Sequence, residues 1–200
     1  MAYGLPHISF LGYPVPVPCA GHAGLGFREA QPGDEPEIIA HLRALDPEDR
    51  RMRFCTTVND AHLVRHAEGI WERSSFAITA HDGPLWSGPF NRPGAIRAMA
   101  ELSVNGDMAE VGVSVDRGLR RRGVGTYLIQ TAARLLAQRG VRKIVAFTMP
   151  GNKSFLALSR KAGADVTWDM DEVEILFDVA ELNRAYLQRR LGEQVFHRVA

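Results

Sequence analysis

Residues 95–125 read AIRAMAELSVNGDMAEVGVSVDRGLRRRGVG, and this stretch decides the fold. Asn105-Gly106 is a strong short hairpin signal, and it stands between two alternating runs, 95–104 and 107–115. A two-residue turn at Asn105-Gly106 sets Ile96, Ala98, Ala100 and Leu102 against Val115, Val113, Val111 and Ala109. One face is then wholly apolar. The other carries Arg97, Met99, Glu101 and Ser103 against Ser114, Gly112, Glu110 and Met108. Both strands agree on the buried face, which supports the pairing. The same register puts Glu101 across from Glu110, and opposed like charges destabilise a hairpin unless they have a partner or a task.

The hairpin runs into DRGLRRRGVG (116–125) and then a helix through Arg139, with Val124, Leu128, Ile129, Leu135 and Leu136 on its apolar side and Gly140 as its stop. A strand, a basic glycine-containing loop and a helix start make a phosphate-binding arrangement. Free amides at a helix N-terminus point outward, and the helix dipole favours an anion there. Gly123 and Gly125 allow close backbone approach, and Arg120, Arg121 and Arg122 add donors suited to phosphate oxygens. No Lys-Ser/Thr follows as in a Walker loop, and GxGxxG is absent.

Outward from this centre, FREAQ (27–31) reads as a strand and Pro32-Gly33-Asp34 as a helix entry, with Glu37 completing a capping box. Ile38, Ile39, Leu42 and Leu45 form that helix's stripe, and Asp46-Pro47 stops it. Asn59 or Asp60 opens a second helix, FAIT (76–79) is a strand, and 83–94 is a Pro/Gly-rich loop holding Trp86 and Phe90. KIVAF (143–147) is a buried strand, Asn152 caps a helix to Ala162, and DVTW (165–168) pairs with VEILFDV (173–179). The expected organisation is a Pro/Gly-rich extension over 1–26, a domain over 27–180, and a C-terminal helix (181–191) and tail over 181–200. The order of elements gives a mixed α/β (α+β) sandwich.

Composition removes several function classes. The 200 residues carry 24 Lys and Arg against 23 Asp and Glu, a net charge of +1 that argues against a nucleic-acid or membrane partner. No apolar run is long enough to span a bilayer. The stretch Leu5 to Leu25 lacks a basic start and is broken by four prolines, so a secretory leader is not expected. Two cysteines, Cys19 and Cys55, make neither a disulfide framework nor a four-thiolate zinc site. A cytoplasmic protein is the expectation.

The segment Arg120-Arg121-Arg122-Gly123-Val124-Gly125 resembles the Gln/Arg-x-x-Gly-x-Gly/Ala signature of the GNAT superfamily of acyl-CoA-dependent N-acetyltransferases. A second block, NKSFLALSRKAGA (152–164), is similar to that family's Asn-headed helix. RMRF (51–54) resembles a subgroup that includes bacterial protein-lysine acetyltransferase domains. The resemblance spans Phe27 to Val179 and implies a mostly antiparallel central sheet flanked by helices. It implies acetyl-CoA as co-substrate and an amine acceptor, a small molecule or a protein lysine, with a homodimer left open. Pantetheine contacts fall on backbone groups at Val113 and Val115. Pyrophosphate contacts fall on Arg120, Arg121, Arg122, Gly123, Val124, Gly125 and Thr126, with Asn152 near the pantetheine arm. The frequent family Tyr that protonates the leaving thiolate maps to Ser159. The family's strand glutamate, often the base, maps to Glu110, with Glu101 as the second candidate.

Plainer readings stand beside these. Asn is among the best helix caps, so Asn152 is equally a cap without a ligand. His62 and His66, spaced i, i+4, lack a third ligand, and no metal is expected. The expected activity is acetyl transfer from acetyl-CoA to a primary amine by direct attack; the competing expectation is a non-catalytic acyl-CoA-binding regulatory or scaffold module.

Overall fold

The computed structural model describes residues 24–71, 75–82 and 94–196. Residues 1–23 of the expected extension (1–26) and 83–93 of the expected loop (83–94) lie outside the described residues, and the end of that extension already belongs to β1. Chain order runs β1 (Leu25–Glu29), α1 (Glu35–Ala44), α2 (Pro47–Phe54), α3 (Asp60–Glu68), β2 (Ser75–Asp82), β3 (Ile96–Asn105) and β4 (Met108–Val115). A 3-10 turn at Arg117–Leu119 leads into α4 (Val124–Gln138), β5 (Lys143–Thr148), α5 (Lys153–Lys161), β6 (Asp165–Trp168), β7 (Val173–Asp178) and α6 (Val179–Phe196). The strands form a seven-stranded sheet in the order β1-β2-β3-β4-β5-β7-β6. β4 and β5 are parallel, and the other described pairings are antiparallel.

Alternation along the strands builds a core on each face of the sheet. On one face Ala98, Ala100, Leu102 and Val111 pack against Leu128, Ala132 and Leu136 of α4, with Leu182 of α6 in the same cluster. On the other, Ala77 and Met99 meet Ile38 and Leu42 of α1 and Leu63 and Ala67 of α3. Burying a leucine, isoleucine, valine or methionine among them stabilises by about 1.5–3 kcal/mol, and an alanine by less. Among the described residues no helix is long and apolar enough to cross a membrane.

The hairpin keeps the expected faces but not the expected pairing. Asn105 pairs with Met108, so Glu101 lies opposite Gly112 and Glu110 opposite Ser103. The turn is centred on Gly106-Asp107 rather than on Asn105-Gly106. Gly106 takes φ +63° at the first central position, while Asp107 does not share the positive φ, which matches a type II′ turn. A two-residue slip preserves the side of every residue, so the apolar pattern could not detect it. The supposed opposition of two glutamates does not exist.

Two helix readings also change. The Asp34 carboxylate caps nothing at its own helix; it accepts from the Gln31 N–H at 2.7 Å and from Arg28 at 2.6 and 2.8 Å, while Glu35 accepts from the Gly33 N–H. Asp46-Pro47 does end α1, but it also starts α2. The Asp46 side chain accepts from the Asp49 N–H at 2.8 Å, with Pro47 in the first turn. α2 buries no residue fully, so it offers no apolar stripe to read.

Candidate active site

β4 and β5 pair only through Met108, Ala109 and Glu110 against Lys143, Ile144 and Val145. Beyond that point β4 continues to Val115 along β3, and β5 continues to Thr148 along β7. Each strand is held by its outer neighbour while the two part from each other. The Asp116 N–H donates to the Arg97 carbonyl at 2.9 Å, which makes that a hydrogen-bonded pair. Alternation then turns the N–H and C=O groups of Gly112 and Ser114 toward β3, and those of Val113 and Val115 into the split. The split therefore exposes strand backbone within the sheet, able to take an extended amide chain as a further strand would be taken.

The basic, glycine-containing loop before α4 closes one end of the split. Arg121 has φ +60° and Gly123 φ +83°, and both are exposed. The first α4 hydrogen bond runs from the Tyr127 N–H to the Gly123 carbonyl at 2.9 Å, so the amides of Gly123 to Thr126 precede it. A Cβ on Gly125 would come within 3.0 Å of Leu158 and 3.7 Å of Val115, so this glycine lets α4 lie close to α5 and β4. Arg121 and Arg122 are exposed, whereas Arg120 is engaged. Its Nη2 donates to Asp49 at 2.5 Å and its Nε to the Val115 carbonyl at 3.1 Å.

α2 spans the split on the opposite face. Met52 reaches Gly151 beyond β5, its Cε lying 2.9 Å from where a Cβ would stand, and its carbonyl accepts from Thr148 Oγ1 at 3.4 Å. Arg53 lies over Gly112 of β4: an ideal Cβ there would fall 2.0 Å from the guanidinium carbon. Arg53 Nη2 donates to Glu101 Oε2 at 3.0 Å, and His66 Nε2 approaches the same oxygen at 2.5 Å. The Arg53, Glu101 and His66 side chains are 12%, 11% and 15% exposed. Cys55 ends α2 at φ 53°. Burial pushes its thiol above the ordinary value, Glu172 and Glu110 push the same way, and Arg53 opposes them.

Glu110 is exposed on β4 at the last pair before the strands part, and its side chain shares a face with Gly112. Glu101 is instead enclosed by Arg53 and His66. Asn152 is a cap: its Oδ1 accepts from the Phe155 N–H at 3.2 Å and its Nδ2 donates to Thr148 at 2.9 Å. Ser159 is fully buried and donates to the Phe155 carbonyl at 2.9 Å. His62 and His66 stack at 6.3 Å, and among the described residues no group of three potential ligands could hold a metal. A network the sequence did not suggest supports the end of β4. Buried His41 bonds Ser114 Oγ at 2.8 Å and lies 3.4 Å from Asp116. Burial works to raise the Asp116 carboxyl, but His41 and Arg97 outweigh it and hold the group below its usual range.

Known proteins share sequence and fold with this chain. YwnH of Bacillus subtilis (strain 168), provisionally named a phosphinothricin acetyltransferase, is 42% identical over 55 residues, which span 28% of this chain and 34% of that protein. The GNAT domain of S. lividans PAT superposes with a TM-score of 0.61 at 18% identity, covering 77% of this chain and 90% of that one. The ribosomal-protein-S18-alanine N-acetyltransferase of Escherichia coli gives 0.58 at 16% identity, covering 78% and 94%. These structural likenesses show a shared fold. The family model for the acetyltransferase (GNAT) family matches residues 53–164, from Arg53 on the split to Ala164 beyond α5, and the chain belongs to that family.

Proposed function

We propose that the protein transfers an acetyl group from acetyl-CoA to a primary amine by direct attack. The observation that carries this reading is the split between β4 and β5, where the backbone of Val113 and the N–H of Val115 turn away from β3 and lead to the open amides at the start of α4. These residues fit the co-substrate: a free strand edge for the pantetheine amides, and a positive helix end with Arg121 and Arg122 for the diphosphate. When bound, the thioester supplies an activated acyl carbon. The Val113 N–H is suited to polarise its carbonyl.

An acceptor amine is mostly protonated at neutral pH, so a base must take a proton before attack. Glu110 is our choice. It is exposed, it stands where the strands part, and it shares a face with Gly112. Glu101 is the weaker candidate, because Arg53 and His66 both occupy its Oε2. The Ser159 hydroxyl is committed to its own helix, so water protonates the leaving thiolate in this scheme, which a thiol pKa near ~8.5 permits. The test is thiol release from acetyl-CoA with a panel of amines. Release above the amine-free rate, lost in Glu110→Gln with acetyl-CoA affinity intact, supports the reading; binding without amine-dependent release leaves the acyl-CoA-binding module.

A further inference from the structure

Resting on the transferase reading, we infer that Arg53 selects an acceptor carrying an anionic group beside its reacting amine, as in an α-amino acid. A guanidinium has five N–H donors. Only Nη2 of Arg53 is hydrogen-bonded among the described residues, to Glu101, and Nε is buried with no partner. The Glu101 oxygen that accepts from Arg53 also meets His66 Nε2. Arg53 therefore holds a fraction of one carboxylate; its Nε is shut away from solvent, and Nη1, with no hydrogen-bond partner among the described residues, is the donor a second carboxylate can fill.

Its position suits an acceptor. α2 lies across the split, with Met52 at the β5 end and Arg53 on Gly112, next to the strand edge that turns into the split. The amine comes to this face if Glu110 is its base, because Glu110 and Gly112 project to the same side of β4. Glu172 and Glu110 act on the Cys55 thiol in one direction and Arg53 in the other, so both signs surround one point. A zwitterion matches this pair of charges: its ammonium meets Glu110 and its anion meets Arg53. A polyamine or a lysine in a basic peptide offers Arg53 no anion beside the reacting amine.

The experiment measures kcat/KM for a set of L-amino acids, each paired with its own carboxamide, together with spermidine and a lysine peptide. Wild type is expected to prefer the carboxylate over the carboxamide by roughly 10- to 100-fold, the range of one charged hydrogen bond. Arg53→Gln should raise KM for the amino acid and lower the carboxamide rate far less, so that the ratio collapses toward one. Acetyl-CoA affinity by calorimetry reports that the variant is folded, and Arg53→Lys, which keeps the charge but loses the fork, should fall between. A wild type that prefers the lysine peptide or spermidine, or an Arg53 variant that lowers both members of each pair equally, overturns the inference and leaves the transferase standing. Absence of thiol release with every amine overturns both.

Discussion

Gly112→Ala tests how the guanidinium is held. The new Cβ would stand 2.0 Å from Arg53 Cζ and 2.2 Å from each terminal nitrogen. Carbon contacts settle at ~3.5 Å or more, so the guanidinium must retreat by about 1.5 Å. A retreat directed away from Glu101 takes their 3.0 Å bond out of hydrogen-bond range. A hydrogen bond to a charged group contributes about 1.5–3 kcal/mol, and the lower half applies because His66 still serves Glu101. Alanine in a strand returns about 0.5–1 kcal/mol relative to glycine. The net loss is then about 1 kcal/mol, or roughly 0.5 M in the urea midpoint at an m-value of about 2 kcal/mol/M. In an Arg53→Ala background the same substitution should cost nothing or stabilise, giving a coupling of about 1–2 kcal/mol. Equal cost in the two backgrounds, or no cost in wild type, refutes the contact.

Gly123→Ala must place an L side chain at φ +83°, so we expect a loss of about 1–2 kcal/mol at the mouth of the phosphate loop, seen by calorimetry as weaker acetyl-CoA binding. Ser159→Ala removes only a bond within α5 and should keep most of the activity; a thousandfold fall in kcat, about 4 kcal/mol, would mean that the hydroxyl acts in the reaction. His81 is buried, and burial holds its imidazole below the ordinary value although its Nδ1–H donates to the Gly94 carbonyl at 2.7 Å. With the folded pKa depressed, the unfolded chain binds the extra proton first, so this stability is present above about pH 6.5 and lost as pH falls below it. Urea unfolding at pH 7.5 and 5.5 should show a smaller drop for His81→Gln than for wild type.

Most strands were legible because alternation writes itself into composition. Val111, Val113 and Val115 against Ala98, Ala100 and Leu102 could belong to one face only, and the start of α4 was marked by the glycines before it. The hairpin register was not legible. A slip by two leaves each side chain on its own face, and only the φ of Gly106 and the neighbouring strands choose between the two pairings. Arg53, Glu101 and His66 were beyond reach for a different reason. Their meeting depends on three elements far apart in sequence, and the glycine that admits the guanidinium looks in sequence like any other strand glycine.

α2 was hidden by its polarity, and that polarity is what joins the two halves of the site. Its Asp46 takes Arg117 at 2.6 Å and its Asp49 takes Arg120, which also donates to the Val115 carbonyl, so the first turn of α2 holds the phosphate loop against the end of β4. Its last turn sets Met52 on the β5 side and Arg53 on Gly112. A helix of eight residues that buries none of them fully gains little from the hydrophobic effect and depends on charged contacts at both ends. Loosening one end should therefore be felt at the other. Occupation of the phosphate loop that draws Arg120 from Asp49 would release the first turn of α2, and the shift would reach Arg53 through a single rigid helix. Asp49→Asn separates the two ends experimentally. If α2 carries the coupling, this variant changes the carboxylate-to-carboxamide ratio of the acceptor as well as acetyl-CoA affinity; a change in acetyl-CoA affinity alone would show that the two halves act independently.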